Sequence, residues 1–165
     1  MKKICMSMVL VFVSVFAFAQ AQPRAVLSKT DIDNFVKHYA AISEAMSSLS
    51  SLNMDLEGKN ETDIKTAIAK ARSMNIPADL SAKLAKFGLG NNAFEKCIVV
   101  SFGIMAVFME EMFAGFMGLA GTDQSADDGT AEFKKTIAAM KTSIHANDYN
   151  LISSRKEELI ALMQN

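Results

Sequence analysis

The sequence predicts an all-α protein, and three observations carry that prediction. Apolar residues recur at steps of three and four through successive segments, the signature of one helix face. No strand-length run outside those segments alternates with period two, and proline occurs at only two places in 165 residues. The expected architecture is a single-domain antiparallel bundle of about six helices wrapped around a central hydrophobic helix at about residues 93–119.

The central segment, residues 97–121, reads CIVVSFGIMAVFMEEMFAGFMGLAG, and its only charges are the adjacent Glu110 and Glu111. Two patterns are superimposed in it. Ile98, Phe102, Met105, Met109, Met112, Phe116 and Leu119 follow at alternating steps of four and three, the spacing of a seam that packs on a neighbour. Away from that seam lie Gly103, Ala106, Ala114, Gly118 and Gly121, small enough to let another backbone come close, with Val100, Ile104 and Val107 on the same outer side. A helix apolar nearly all round is buried, in a protein core or in a membrane. The apolar run before the glutamates is about thirteen residues, short of the roughly 30 Å of a hydrocarbon core. A longer span would carry both carboxylates at about 2.5–3.5 kcal/mol each. A core helix is therefore the expectation, with insertion of 97–121 into a bilayer as the alternative.

Residues 1–19 read as a cleavable signal peptide: Lys2 and Lys3, an apolar stretch over 4–16, then Ala17-Phe18-Ala19, with Ala19-Gln20-Ala21 offering a second cleavage point after residue 21. Residues 20–27 form a short arm and 28–165 the helical domain. The expected location is the periplasm or the exterior. Cleavage removes two lysines and no acid, moving the formal charge from −1 to −3, with 15 basic against 18 acidic side chains. Mild acidity without a basic patch argues against a nucleic-acid partner. Cleavage also removes Cys5 and leaves Cys97 alone, so the fold must rest on its core without an internal disulfide.

The helices follow in order. The first starts near residue 28, where Thr30 and Asp33 resemble a capping pair, and carries Ile32, Phe35, Val36, Tyr39, Ile42, Met46 and Leu49. It dissolves in a serine-rich stretch and a polar loop at 53–60. A second spans 61–73, capped by Asn60 or Thr62. Pro77 opens a third over 78–87, which Gly88-Leu89-Gly90 stops, and Asn91-Asn92 can cap the central helix. The polar stretch 121–129 is an exposed connection. A fifth helix runs from about residue 130 with Phe133, Ile137, Met140 and Ile144. A sixth, over 149–163, is capped by Asp148 or Asn147.

Catalysis needs convergent polar groups, and few are offered, so a non-enzymatic role is expected. His38 and His145 lie in no metal-ligand spacing and read as surface and helix-C-terminal residues; no metal, cofactor or catalytic residue is expected. Cys97 lies among apolar neighbours that make a thiol inert. Lys65, Lys70, Arg72, Lys83 and Lys86 read as a solvated basic face. Glu110 and Glu111 are either buried acids or, as expected, charges that reach solvent or a lysine.

Nine methionines remain after cleavage, four of them (Met105, Met109, Met112, Met117) on the central helix beside phenylalanines. Such side chains adapt to varied apolar partners. The candidate binding residues are therefore Phe102, Met105, Met109, Met112 and Phe116, for an apolar small molecule or a protein partner, with peripheral membrane contact as a further possibility.

Overall fold

A computed structural model of the chain describes residues 23–47, 61–120 and 128–163. The expected signal peptide, the polar loop at 53–60 and most of the connection at 121–129 lie outside the described residues. The protein is all-α, with eight α-helices and no strand among the described residues. They are α1 (Lys29–Lys37), α2 (Tyr39–Ser47), α3 (Glu61–Arg72), α4 (Ala78–Leu84), α5 (Ala93–Ala120), α6 (Asp128–Thr142), α7 (Ala146–Ser153) and α8 (Lys156–Met163).

Eight helices replace the expected six because two of those expected are broken. The first breaks at His38, which leaves helical geometry at φ −111° and ψ 16°. The His38 ring stacks on Phe87 at 5.4 Å, and Asn34 donates from Nδ2 to the Gly88 carbonyl at 3.0 Å, so contacts with the end of α4 fix the bend. The last breaks between Ser153 and Lys156, where Arg155 reaches back to Asp33 of α1 at 2.6 Å. Tertiary partners, not breaker residues, set both interruptions.

Helix ends also move. The cap of α1 is Ser28 with Asp31, two residues earlier than the expected Thr30 and Asp33: Ser28 Oγ accepts from the Asp31 N–H at 3.3 Å and Asp31 accepts from the Ser28 N–H at 2.8 Å. The second carboxylate oxygen of Asp31 takes Lys96 of α5 at 2.6 Å, which Asp33 is not placed to do. Pro77 precedes α4 as its cap residue, and the helix ends in a wider turn, Ala85–Leu89, where Gly88 adopts φ 78°. His145, expected at a helix C-terminus, instead caps α7 by accepting from the Asn147 N–H at 3.2 Å through Nδ1. That leaves Asp148 free for a different task.

Helix α5 runs 28 residues, about 42 Å. Helices α1, α3, α4, α6, α7 and α8 all pack on it. Cys97, Ile98, Val99 and Val100 are buried in succession, so this level of the helix is covered on every side. Leu84, Leu89, Ile152 and Leu159, none more than 1% exposed, share that core. A smaller cluster of Ile68, Ala106, Ala139 and Met140 joins α3 and α6 to the middle of α5.

The cover then runs out. The residues buried beyond Val100 are Gly103, Ile104, Ala106 and Val107, and from Phe108 to Phe116 no side chain is fully buried. The side that packs is the one with small residues, not the heptad seam. Of the expected seam only Ile98 is buried; Phe102 and Met109 are half-buried, Met105, Met112 and Phe116 are exposed, and the Leu119 side chain lies outside the described residues. The reason is close approach: a Cβ on Gly103 would stand 2.3 Å from Ile152 Cδ1 of α7. Large seam side chains would hold α7 away.

Two glycines of α5 should therefore respond oppositely to alanine. Gly115→Ala meets nothing within 4 Å and removes a helix-interior glycine, so it should stabilise the protein by about 0.5–1 kcal/mol. Gly103→Ala forces a wholly buried Ile152 to move and should be net destabilising by about 1 kcal/mol, seen as a thermal midpoint lowered by roughly 2–4 °C.

Candidate functional site

The exposed large apolar side chains among the described residues are Met105 (42%), Met112 (55%), Phe116 (55%) and Met163 (47%). The first three are separated by seven and four residues, so they line one face of α5 along about 16 Å. Three half-exposed side chains of this size present on the order of 300 Å² of apolar surface, the size of patch that on a single chain is often functional. Half-buried Phe102 and Met109 border it. All five candidate binding residues thus fall on or beside one stripe, three outside and two partly in the core.

The charges beside the stripe are neutralised by neighbouring helices. Glu110 accepts from Lys141 of α6 at 2.8 Å and from the Tyr149 hydroxyl of α7 at 2.6 Å. Glu111 accepts from Lys156 of α8 at 2.5 Å. Neither glutamate is buried; both are ion-paired at the surface. The Lys141 and Tyr149 hydrogen bonds hold the Glu110 carboxyl below its ordinary range, while burial and then Glu110 itself push the Tyr149 phenol well above its own. On the α6 side Phe113 stacks on Phe133 at 5.6 Å, and the Lys134 ammonium sits 5.4 Å over the Phe113 ring. Helices α6 and α8 are thereby fastened to α5 by its flanks, and the stripe between them carries no charge.

The far end of α5 holds the polar groups that sequence reasoning missed. Arg72, expected on a solvated basic face, is instead mostly buried: it donates to Glu95 at 2.9 Å and 3.2 Å, to the Ser143 carbonyl at 3.2 Å and to the Arg24 carbonyl at 3.4 Å. Arg24 completes the group with a 2.8 Å bond to Glu95. Lys96 bridges Asp31 and the Leu89 carbonyl. Asp148 is wholly buried and accepts from the Val26 and Leu27 N–H groups at 2.9 and 3.0 Å. The one local signal was a Glu95-Lys96 pair in the first turn of an otherwise apolar helix.

For Asp31 and Glu95, burial pushes the carboxyl upward, but their cationic and hydrogen-bond partners outweigh it and both end below their ordinary values. Burial pushes the Cys97 thiol up to about 12. Among the described residues no three His, Cys, Asp or Glu side chains gather to hold a metal ion. The exposed stripe of Met105, Met112 and Phe116 offers apolar contact.

Among the described residues one helix, over Ala93–Phe116, is by length and composition apolar enough to cross a membrane, with mean hydropathy 1.9, yet 44% of its most apolar window is buried in protein. It is neither a wholly covered core helix nor a bare span. No protein family, curated protein or solved structure matches the chain.

Two measurements follow from these groups. Cys97 should resist iodoacetamide at pH 8 in the native protein and react once urea unfolds it, because the thiolate forms only near pH 12. The carboxyls of Asp31, Glu95 and Glu110 are lowered in the folded state, so their stabilisation is fully present above the ordinary values of 3.8 and 4.5 and is lost as pH falls through the folded-state values. Urea midpoints should drop below about pH 4, with a shallower drop in Glu95→Gln.

Proposed function

We propose that this is an exported helical binding protein, periplasmic or secreted, that holds an apolar partner against the Met/Phe stripe of α5. The observation that carries the reading is the exposure of Met105, Met112 and Phe116 along one uncharged face of α5. Helical partners dock through anchors spaced in this way, and methionine adapts to ligands or protein surfaces of varied shape. Export rests on Lys2, Lys3, the apolar stretch over 4–16 and the small residues at 17–21. The partner is then an apolar small molecule or another envelope protein. An exposed stripe of thioether and phenyl side chains supports a binding role.

A second reading has its own support: the length and hydropathy of Ala93–Phe116 suit contact with a bilayer, through the stripe or by insertion of the helix. Flotation with zwitterionic vesicles separates the two readings, since a protein that binds through the stripe alone stays in the soluble fraction.

The direct test replaces the stripe. The triple substitution Met105→Gln, Met112→Gln and Phe116→Gln should abolish binding of a hydrophobic fluorescent dye to the native protein and leave thermal stability within about 1 kcal/mol, because exposed side chains contribute little to folding. Undiminished dye binding, or a collapse of stability, would sink the proposal.

A further inference from the structure

Met105, Met109, Met112 and Phe116 follow along α5 at steps of four, three and four residues, an order that reads the same from either end. Three of them are exposed and Met109 is half-buried. A stripe with this symmetry is complementary to a reversed copy of itself, as an isologous two-fold interface requires. With the axis passing between positions 110 and 111, Met105 of one copy meets Phe116 of the other, and Met109 meets Met112. An antiparallel helix pair forms layers of this kind from a seam of alternating four- and three-residue steps. The outer layers set a thioether on a phenyl ring, a favourable contact, and the inner ones join two adaptable methionines.

The length of the uncovered helix agrees with that register. Enclosure of α5 on every side ends at Val100, and Ser101 is exposed. In the same register Ser101 lies level with Ala120 of the other copy, the last residue of α5. Each helix therefore ends where the enclosed part of the other begins. A parallel pair would instead set the two enclosed ends side by side and hold the axes apart. Charge does not oppose the approach, because Glu110 and Glu111, close to the axis, are each met by a lysine of their own chain, Lys141 and Lys156. We propose, resting on the binding role of the stripe, that its partner is a second copy of this chain, docked antiparallel along α5. At about 300 Å² from each copy the stripe supplies about 600 Å², half of the roughly 1,200 Å² at the lower bound for stable complexes. The dimer is therefore transient, with a dissociation constant above about 1 µM, and dilute protein is monomeric.

Sedimentation velocity of the mature protein, from micromolar to millimolar concentration, should show reversible dimerisation, and the triple substitution Met105→Gln, Met112→Gln and Phe116→Gln should stay monomeric throughout. Orientation is read with a short bis-maleimide, to which the buried Cys97 is inert. Met105→Cys protein mixed with Phe116→Cys protein should cross-link one to the other, while neither should cross-link to itself, because equivalent positions lie about 16 Å apart along the pair. Self-cross-linking of Met105→Cys, or no cross-link at concentrations where the unaltered protein is dimeric, overturns the antiparallel register. A protein that is monomeric at every concentration yet binds the hydrophobic dye overturns the second copy as occupant and leaves the binding role standing. A monomer that binds no dye overturns both.

Discussion

Cys97, Ile98, Val99 and Val100 occupy successive positions on α5 and all four are buried, which requires protein on every side of the helix at that level. The termini of the shorter helices are arranged around this requirement. Leu84 and Leu89 arrive from α4 and its closing turn, Ile152 from α7 and Leu159 from α8. At about 1.5–3 kcal/mol for each large side chain fully removed from water, this cluster is the main source of stability in a chain whose single described cysteine is free. Beyond Val107 the requirement lapses, and over residues 108–116 the helix continues with none of its side chains fully buried, tied to its neighbours by Glu110, Glu111 and Phe113.

Polar groups divide the same way along α5. At its N-terminal end they are largely buried: Glu95 with Arg72, Lys96 with Asp31, and Asp148 with the Val26 and Leu27 amides, each charge or carboxylate met by partners from other helices or from the arm. Pairs of this kind add little net stability but fix which surfaces meet, since a mispaired arrangement would strand a charge. Toward the other end Glu110 and Glu111 form exposed bridges that are weaker and salt-sensitive. The covered end is thus uniquely specified, while the Met/Phe end is held by contacts that a partner can compete with.

The fold class was legible because helical periodicity is a local signal, and the bounds of the central helix followed from Gly90 and the polar stretch after residue 120. The identity of the packed face was not. Two patterns share α5, and choosing the Gly103 and Ala106 side requires knowing that Ile152 comes to meet it, a contact almost fifty residues away. The bend at His38 was invisible for the same reason, since Phe87 and Gly88 cause it. Asp148 looked like a helix cap because aspartate near a helix start usually is one; its true partners lie 122 and 121 residues away. The pairing of Glu110 and Glu111 with lysines was anticipated, but Lys141 and Lys156 could not be singled out. The candidate residues Met105, Met112 and Phe116 were chosen as a seam and are instead the part of that seam left uncovered.

The central claim is that α5 is enclosed over its first half and presents methionine and phenylalanine to solvent over its second. Methionine oxidation by dilute peroxide, followed residue by residue by mass spectrometry on the native protein, reads this directly, because thioether oxidation follows exposure. Met105 and Met112 should oxidise alongside the exposed Met163 and well ahead of Met140, which is only 8% exposed. Protection of Met105 and Met112 to the level of Met140 would contradict the account, since it would mean that the stripe is covered in the free protein.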